Sequence, residues 1–146
     1  MRTPTYRELS REECLDVLRR NFYGRIAFSQ HDRVDVEPIH YVLDEDWLYL
    51  RTGVGTKVST LKHHPWVAFE VDEVTAPFDW TSVVVKGTVY FLSTDAEAAN
   101  REEYQRALRA LRRLIPETMT PKDPTPSRNV ILRISVNEVH GRAAKA

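Results

Sequence analysis

The sequence predicts an α+β domain built around a small antiparallel barrel. Three observations carry that expectation. Period-two runs separated by hairpin-length turns dominate the 146 residues. Only three stretches carry a helical stripe. The length fits one domain with a sizeable core.

Ser10 followed by Glu13 is a capping-box pattern, and Leu9 with Cys14 can form a hydrophobic staple around it. Cys14, Leu15, Val17 and Leu18 give the helix one apolar face, and Phe22-Tyr23-Gly24 stops it. Gly24–Gln30 then reads as a strand, His31-Asp32-Arg33 as a turn, and Val34–Leu43 as a second strand. Pro38 inside that strand removes a ladder donor, which calls for a sheet edge, a bulge or a ligand beside the backbone. Asp44-Glu45-Asp46 turns the chain into Trp47–Thr52, the third strand.

Gly53-Val54-Gly55 precedes a short helix from Thr56 to His64, ended by Pro65. Trp66–Asp72 is the fourth strand, Glu73–Asp79 a loop, and Trp80–Ser93 a long fifth strand with a bend or bulge at Gly87. Thr94 with Glu97 repeats the capping pattern before a helix striped by Ala98, Tyr104, Leu108, Leu111 and Ile115. The four prolines 116, 121, 124 and 126 predict an extended surface loop over 116–127. Asn129–His140 is the last strand, and the AAKA tail is expected to be loose. The result is six strands, with a leading helix, a short helix after the third strand and a longer helix before the last.

Composition narrows the function. Lys plus Arg number 21 and so do Asp plus Glu, so the formal net charge is zero. Such a chain has no overall field for polyanions, which argues against nonspecific nucleic-acid binding. No apolar run reaches the ~18–20 residues of a membrane span, and MRTPTYRELS lacks a signal-peptide core. The single cysteine excludes an internal disulfide and a multi-cysteine metal cluster. A cytoplasmic protein of a reducing compartment is the expectation, and the preference for Arg over Lys fits a GC-rich bacterial source. Nucleophile-elbow, zinc-protease, P-loop and C-x-x-C motifs are all missing. His31, Asp35 and Glu37 could approach a metal, but strand alternation sets His40 apart from them, so no metal site is expected.

Two stretches carry chemistry. In LRTGVGTKVSTL a strand ends at Thr52, two glycines bracket one residue, and Thr56-Lys57 opens a helix. Backbone amides, hydroxyls and the Lys57 ammonium could cradle a phosphate there, although a glycine turn before a surface helix would read the same. In WTSVVVKG, Trp80 and Ser82 interrupt a core-like strand. They could flank a flat heteroaromatic ligand, or be a core aromatic and a solvent-facing hydroxyl.

Taken together with GRIAFSQ, VEPIHYVL, WLYLRTGVGTK, LKHHPWVAFEVD and the closing HGR, these stretches resemble the pyridoxamine 5'-phosphate oxidase-like superfamily. The resemblance runs from Ser10 to Arg142 and is nearest to the small subgroup that includes nitroimidazole-resistance-type proteins. It implies a six-stranded split barrel that forms a homodimer, with flavin mononucleotide (FMN) at the subunit interface. By position, Glu37–Val42, including Pro38, Ile39, His40 and Tyr41, would run along the flavin ring. Arg51 and Thr52 would make strand-end contacts, with Thr52 on the phosphate side, Thr56 and Lys57 would bind phosphate, and Ser82 would meet the ring with Trp80 nearby. His40 and Trp80 are the candidates for the substrate side.

Three departures qualify the resemblance. The phosphate loop is one residue shorter than in many relatives. The chain ends at HGRAAKA, without the arginine-containing segment that closes over substrate in true pyridoxamine phosphate oxidases. Arg51 stands where nitroimidazole-resistance relatives tend to place a histidine. The function implied is an FMN-dependent oxidoreductase of an unidentified small molecule. A deazaflavin coenzyme on the same fold, and a non-catalytic flavin-binding or sensing protein, are the alternatives.

Overall fold

The computed structural model describes residues 2–92 and 98–146. Along them run β1 (Thr5–Glu8), α1 (Arg11–Arg20), β2 (Tyr23–Gln30), β3 (Arg33–His40), β4 (Val42–Asp44) and β5 (Trp47–Thr52). Then follow α2 (Thr56–His63), β6 (Trp66–Ala76), β7 (Asp79–Leu92), α3 (Ala98–Leu114), β8 (Val130–Ser135) and β9 (Glu138–Lys145). All strand pairs are antiparallel, in the order β3-β2-β6-β7-β8-β5-β4, with β9 joining β7 to β1. This is the α+β barrel architecture that the periodicity predicts.

The long strand β7 is the spine. One edge pairs with β6; the other pairs with β9 from Trp80 to Lys86 and with β8 from Val89 to Leu92. Gly87 sits at that change of partner, where a Cβ would lie 3.1 Å from the Ser135 carbonyl oxygen. The bend read at Gly87 is therefore a barrel corner. Pro38 lies on β3, which among the described residues pairs only with β2, so its missing N–H faces an open edge.

Alternate residues of the strands fill the interior, among them Ile26, Leu48, Leu50, Phe69, Val83 and Ile134, all essentially inaccessible. Cys14, Leu15, Val17 and Leu18 of α1 seal this core. Burying each such side chain contributes about 1.5–3 kcal/mol. The α1 cap forms as read, with Ser10 Oγ accepting from Glu13 N at 3.2 Å and Glu13 Oε1 accepting from Ser10 N at 3.0 Å. On the far side of β5 and β8, α3 packs Tyr104, Ala107, Leu108 and Leu111 against Tyr49 and Ile131. The cap read at Thr94 and Glu97, and Ser93, lie outside the described residues.

The described residues contain nine strands, not six. The predicted 34–43 strand breaks at Tyr41, whose hydroxyl donates to the Leu18 carbonyl at 2.7 Å and whose N–H turns to the Phe22 carbonyl. The predicted loop 73–79 is the tip of the β6–β7 hairpin, with pairing out to Ala76 and Asp79. The predicted last strand divides after Ser135, and its second half runs on to Lys145. The tail is thus paired, to β7 and to β1 at the opposite end of the chain. The Pro-rich segment is a series of turns, closed by backbone bonds such as Asp123 N to Thr120 O and Arg128 N to Thr125 O, and not an extended loop. Among the described residues, no helix is long and apolar enough to cross a membrane.

Candidate functional site

Thr56, Lys57 and Thr60 of α2 form one wall of a cavity of about 460 Å³. Gly55 occupies the N-cap position and supplies no side-chain acceptor, so the first amides of α2 have no side-chain cap. The other wall is the β2–β3 hairpin. Its His31-Asp32 turn has both residues at positive φ, 48° and 64°, the geometry of a two-residue type I′ loop. Pairing of Ile26 with Glu37 and of Phe28 with Asp35 turns both carboxylates to the inner side of the hairpin. Thr60 Oγ1 ties α2 to β2 by donating to Gln30 Oε1 at 2.8 Å.

Lys57 Nζ reaches across this cavity to Glu37 Oε2 at 2.8 Å. Arg33 and Asp35 also line it, so two cations and two carboxylates face the same space and their formal charges cancel. Thr56 lines the cavity beside Lys57, while Thr52 is buried at the end of β5 opposite Val130 and is not among the lining residues. Cations, hydroxyls and uncapped amides around an apolar floor at Phe28 suit a phosphate-bearing ligand. Among the described residues, no group of three or more His, Cys, Asp or Glu is placed to hold a metal.

The other predicted residues lie elsewhere on the chain. Ile39 and Tyr41 belong to the core, so they can offer a ligand only backbone groups. His40 is on the outer face, stacked near Phe22 with ring centroids 6.2 Å apart and edge-on to Tyr23 at 5.4 Å. Burial, reinforced by Arg128 and Arg51, holds its imidazole below the usual histidine range. Arg51 is buried, and its guanidinium is bound to Asp123.

Trp80 packs obliquely against Tyr6, centroids 6.2 Å apart, in a separate hollow between β1, β7 and β9. Ser82 Oγ donates to Glu70 Oε2 at 3.1 Å. Glu70 also accepts from Arg25, which reaches Asp72 at 2.7 Å. Burial pushes the Glu70 carboxyl up, and its hydrogen bond to Asp72 keeps that neighbour down. Within one chain, then, Thr56 and Lys57 share a cavity, whereas Trp80 and Ser82 occupy a different part of the sheet.

Sequence reading missed Glu37 as the partner of Lys57, and the Arg25–Glu70–Asp72 group beside Ser82. The alternation in VDVEP sets Asp35 and Glu37 on one face. Only the pairing of β3 with β2 tells which face that is.

The model of the family described as pyridoxamine 5'-phosphate oxidase matches residues 10–143. The chain belongs to that family. Within the solved structures, it is similar to a FAD-binding protein from Mesorhizobium loti, at 28% identity and a TM-score of 0.76, covering 97% of this chain and 99% of that one. A protein from Bacteroides thetaiotaomicron, described as a candidate 5-nitroimidazole antibiotic resistance protein, shares the family fold. Its TM-score is 0.73 at 17% identity, covering 98% of this chain and 90% of that one. The curated relative RA0666 of Rhizobium meliloti (strain 1021) is 32% identical over 81 residues, which are 56% of this chain and 54% of that protein. The match thus spans about half the length of that relative.

Proposed function

We propose that the chain is a flavin-binding oxidoreductase acting on a small molecule, with the cofactor's phosphate held at the start of α2. The observation that carries this reading is the cavity in which Lys57, Thr56 and the uncapped amides of α2 face the β2–β3 hairpin. Membership of the family supports it, as does the name of the M. loti relative, a FAD-binding protein. A bound flavin supplies the redox chemistry itself, so the absence of a nucleophile or acid–base dyad motif in the sequence is no obstacle.

The residues of this chain have binding and orienting roles in that reading. Lys57 offsets phosphate charge, and Thr56 offers a hydroxyl beside it. The β3 backbone, open along its outer edge at Pro38, runs beside the ring. FMN is the proposed form; FAD carries the same ring and first phosphate, and the mass of the released cofactor separates them.

Association into a homodimer belongs to the same proposal. Val34, Val36, Tyr23, Trp66 and Val74 leave an apolar outer surface on β3, β2 and β6, of the kind that a second copy covers. A second copy would also supply a second Trp80–Ser82 surface.

The test is an absorption spectrum of the purified protein, followed by denaturation and mass analysis of the supernatant. Visible flavin bands and released FMN are the expected result. A colourless protein that also fails to quench added FMN and riboflavin would overturn the flavin assignment.

A further inference from the structure

The cation that the cavity offers to a phosphate already has an anionic partner. Lys57 Nζ lies 2.8 Å from Glu37 Oε2, with the lysine side chain 19% exposed and the glutamate 39%. Glu37 is held in this position by its strand. Opposite Ile26, its side chain emerges on the inner side of the hairpin, with Asp35 next along the same face. The groups facing the pair are His31, Arg33 and Asp35 from the hairpin, Gln30 from β2, and Thr56 and Thr60 from α2. None adds a cation that would leave the site net positive once Asp35 is counted against Arg33.

A ligand phosphate approaching Lys57 therefore meets a carboxylate bound to the same ammonium. Two anions sharing one partly buried cation repel each other, and juxtaposed like charges weaken binding. Either the phosphate displaces Glu37 or the two anions share Lys57. In both cases affinity is lower than Lys57 alone would give. The ring and polyol parts of a flavin carry no such charge.

We propose that Glu37 is a built-in competitor for Lys57, which holds phosphate affinity down and makes the flavin an exchangeable ligand. This deepens the flavin reading above and rests on it. Glu37 is then a specificity-determining residue: it narrows the preference for a phosphorylated flavin over the free vitamin, and speeds cofactor release.

The experiment is a fluorescence-quenching titration of FMN and riboflavin against the full chain, Glu37→Gln, Glu37→Ala and the double variant Glu37→Gln/Lys57→Met. Glu37→Gln keeps the length and an acceptor oxygen but removes the charge. It is expected to tighten FMN binding roughly tenfold, with slower release, while riboflavin affinity stays within about twofold. Glu37→Ala should act in the same direction, and Lys57→Met should cancel the gain. Riboflavin binding doubles as the control that each variant is folded. Unchanged or weaker FMN binding by both Glu37 variants, with riboflavin still bound, overturns this inference alone. An equal gain for FMN and riboflavin overturns it as well, since the carboxylate would then act on the ring or polyol. Failure of both flavins to bind any of the proteins, the full chain included, overturns the flavin reading and this inference together.

Discussion

Arg51 and Asp123 lie 72 residues apart and meet as a two-pronged ion pair, Nη1 to Oδ2 at 2.5 Å and Nη2 to Oδ1 at 2.9 Å. Their side chains are 8% and 2% exposed. The carboxylate also accepts from the amides of Met119 and Thr125, and the guanidinium donates to Thr125 Oγ1 at 2.8 Å. One strand-end arginine thereby closes the turn-rich segment after α3 onto β5, close to where α2 begins. At this position a ligand-binding arginine and a structural one would look alike in sequence.

Asp123→Ala should be strongly destabilising, because it leaves a buried guanidinium without its counter-ion. Breaking such a pair costs about 3–5 kcal/mol, where an exposed pair is worth ~0–1. Urea unfolding of the two proteins measures the difference. A loss below about 1 kcal/mol would show that the pair behaves like a surface contact.

The same pair sets an acid limit. The hydrogen bond from Arg51 holds the Asp123 carboxyl well below the usual carboxylate range. The folded state therefore binds this proton less readily than the unfolded chain. The pair's contribution is complete above the ordinary carboxylate value, about 4, and is lost as pH falls below it toward the depressed value. Denaturant midpoints measured from pH 6 downward should fall more steeply for the native chain than for Asp123→Asn.

How much of this was legible depends on the range of the signal. The α1 cap, the hairpin at His31-Asp32 and the corner at Gly87 rest on local chemistry, and each formed where the residues indicated. Strand β1 was not legible. Its four residues, TYRE, are all exposed and become a strand only by pairing with Arg142–Lys145. Asp123 looked like one more polar residue among prolines, because the arginine that buries it comes from another strand. Thr56 and Lys57 could be picked out by their place at a helix start. Glu37 could not, since its neighbour across the cavity is fixed by register alone.

Cys14 should be inert in the folded protein. It is 1% exposed, and burial pushes its thiol above the ordinary value. Its sulfur packs where a Cβ on Gly141 would come within 2.7 Å, a distance that the same Cβ would also make to Leu9. Gly141→Ala should cost about 1–3 kcal/mol by overpacking. Adding Cys14→Ala should recover part of that loss, a non-additivity expected of residues in contact. Thiol labelling with and without urea, together with the three melting curves, checks both statements. Rapid labelling of the native chain would contradict the packing.

Lys57→Ala should weaken FMN binding and leave riboflavin nearly unaffected. Lys57 Nζ is the α2 charge that reaches into the cavity, whereas the ring needs no counter-ion. A variant that still carried full FMN through purification would remove Lys57 from the phosphate site.

The outer face of the sheet supplies the last test. Val34 and Val36 on edge strand β3 are 79% and 59% exposed, and Val36 stands in a row with Ala27 and Ala68 across β2 and β6. Exposed valines on an unpaired edge promote edge-to-edge aggregation unless something covers them. Across β3, β2 and β6 the charges on this face are those of the Arg25–Glu70–Asp72 island, and Lys86 of β7 borders it beside Ala68, so its apolar part has the composition of an interface that buries few charges. On the proposal that a second copy covers this face, Val36→Glu should shift the chain from dimer to monomer in light scattering. The monomer's own stability should change by less than about 0.5 kcal/mol, as for other exposed positions. It should also weaken flavin binding if a second copy completes the site. A native chain that is monomeric at every concentration tried would rule out the homodimer. A dimer unaffected by Val36→Glu would place the contact on another face.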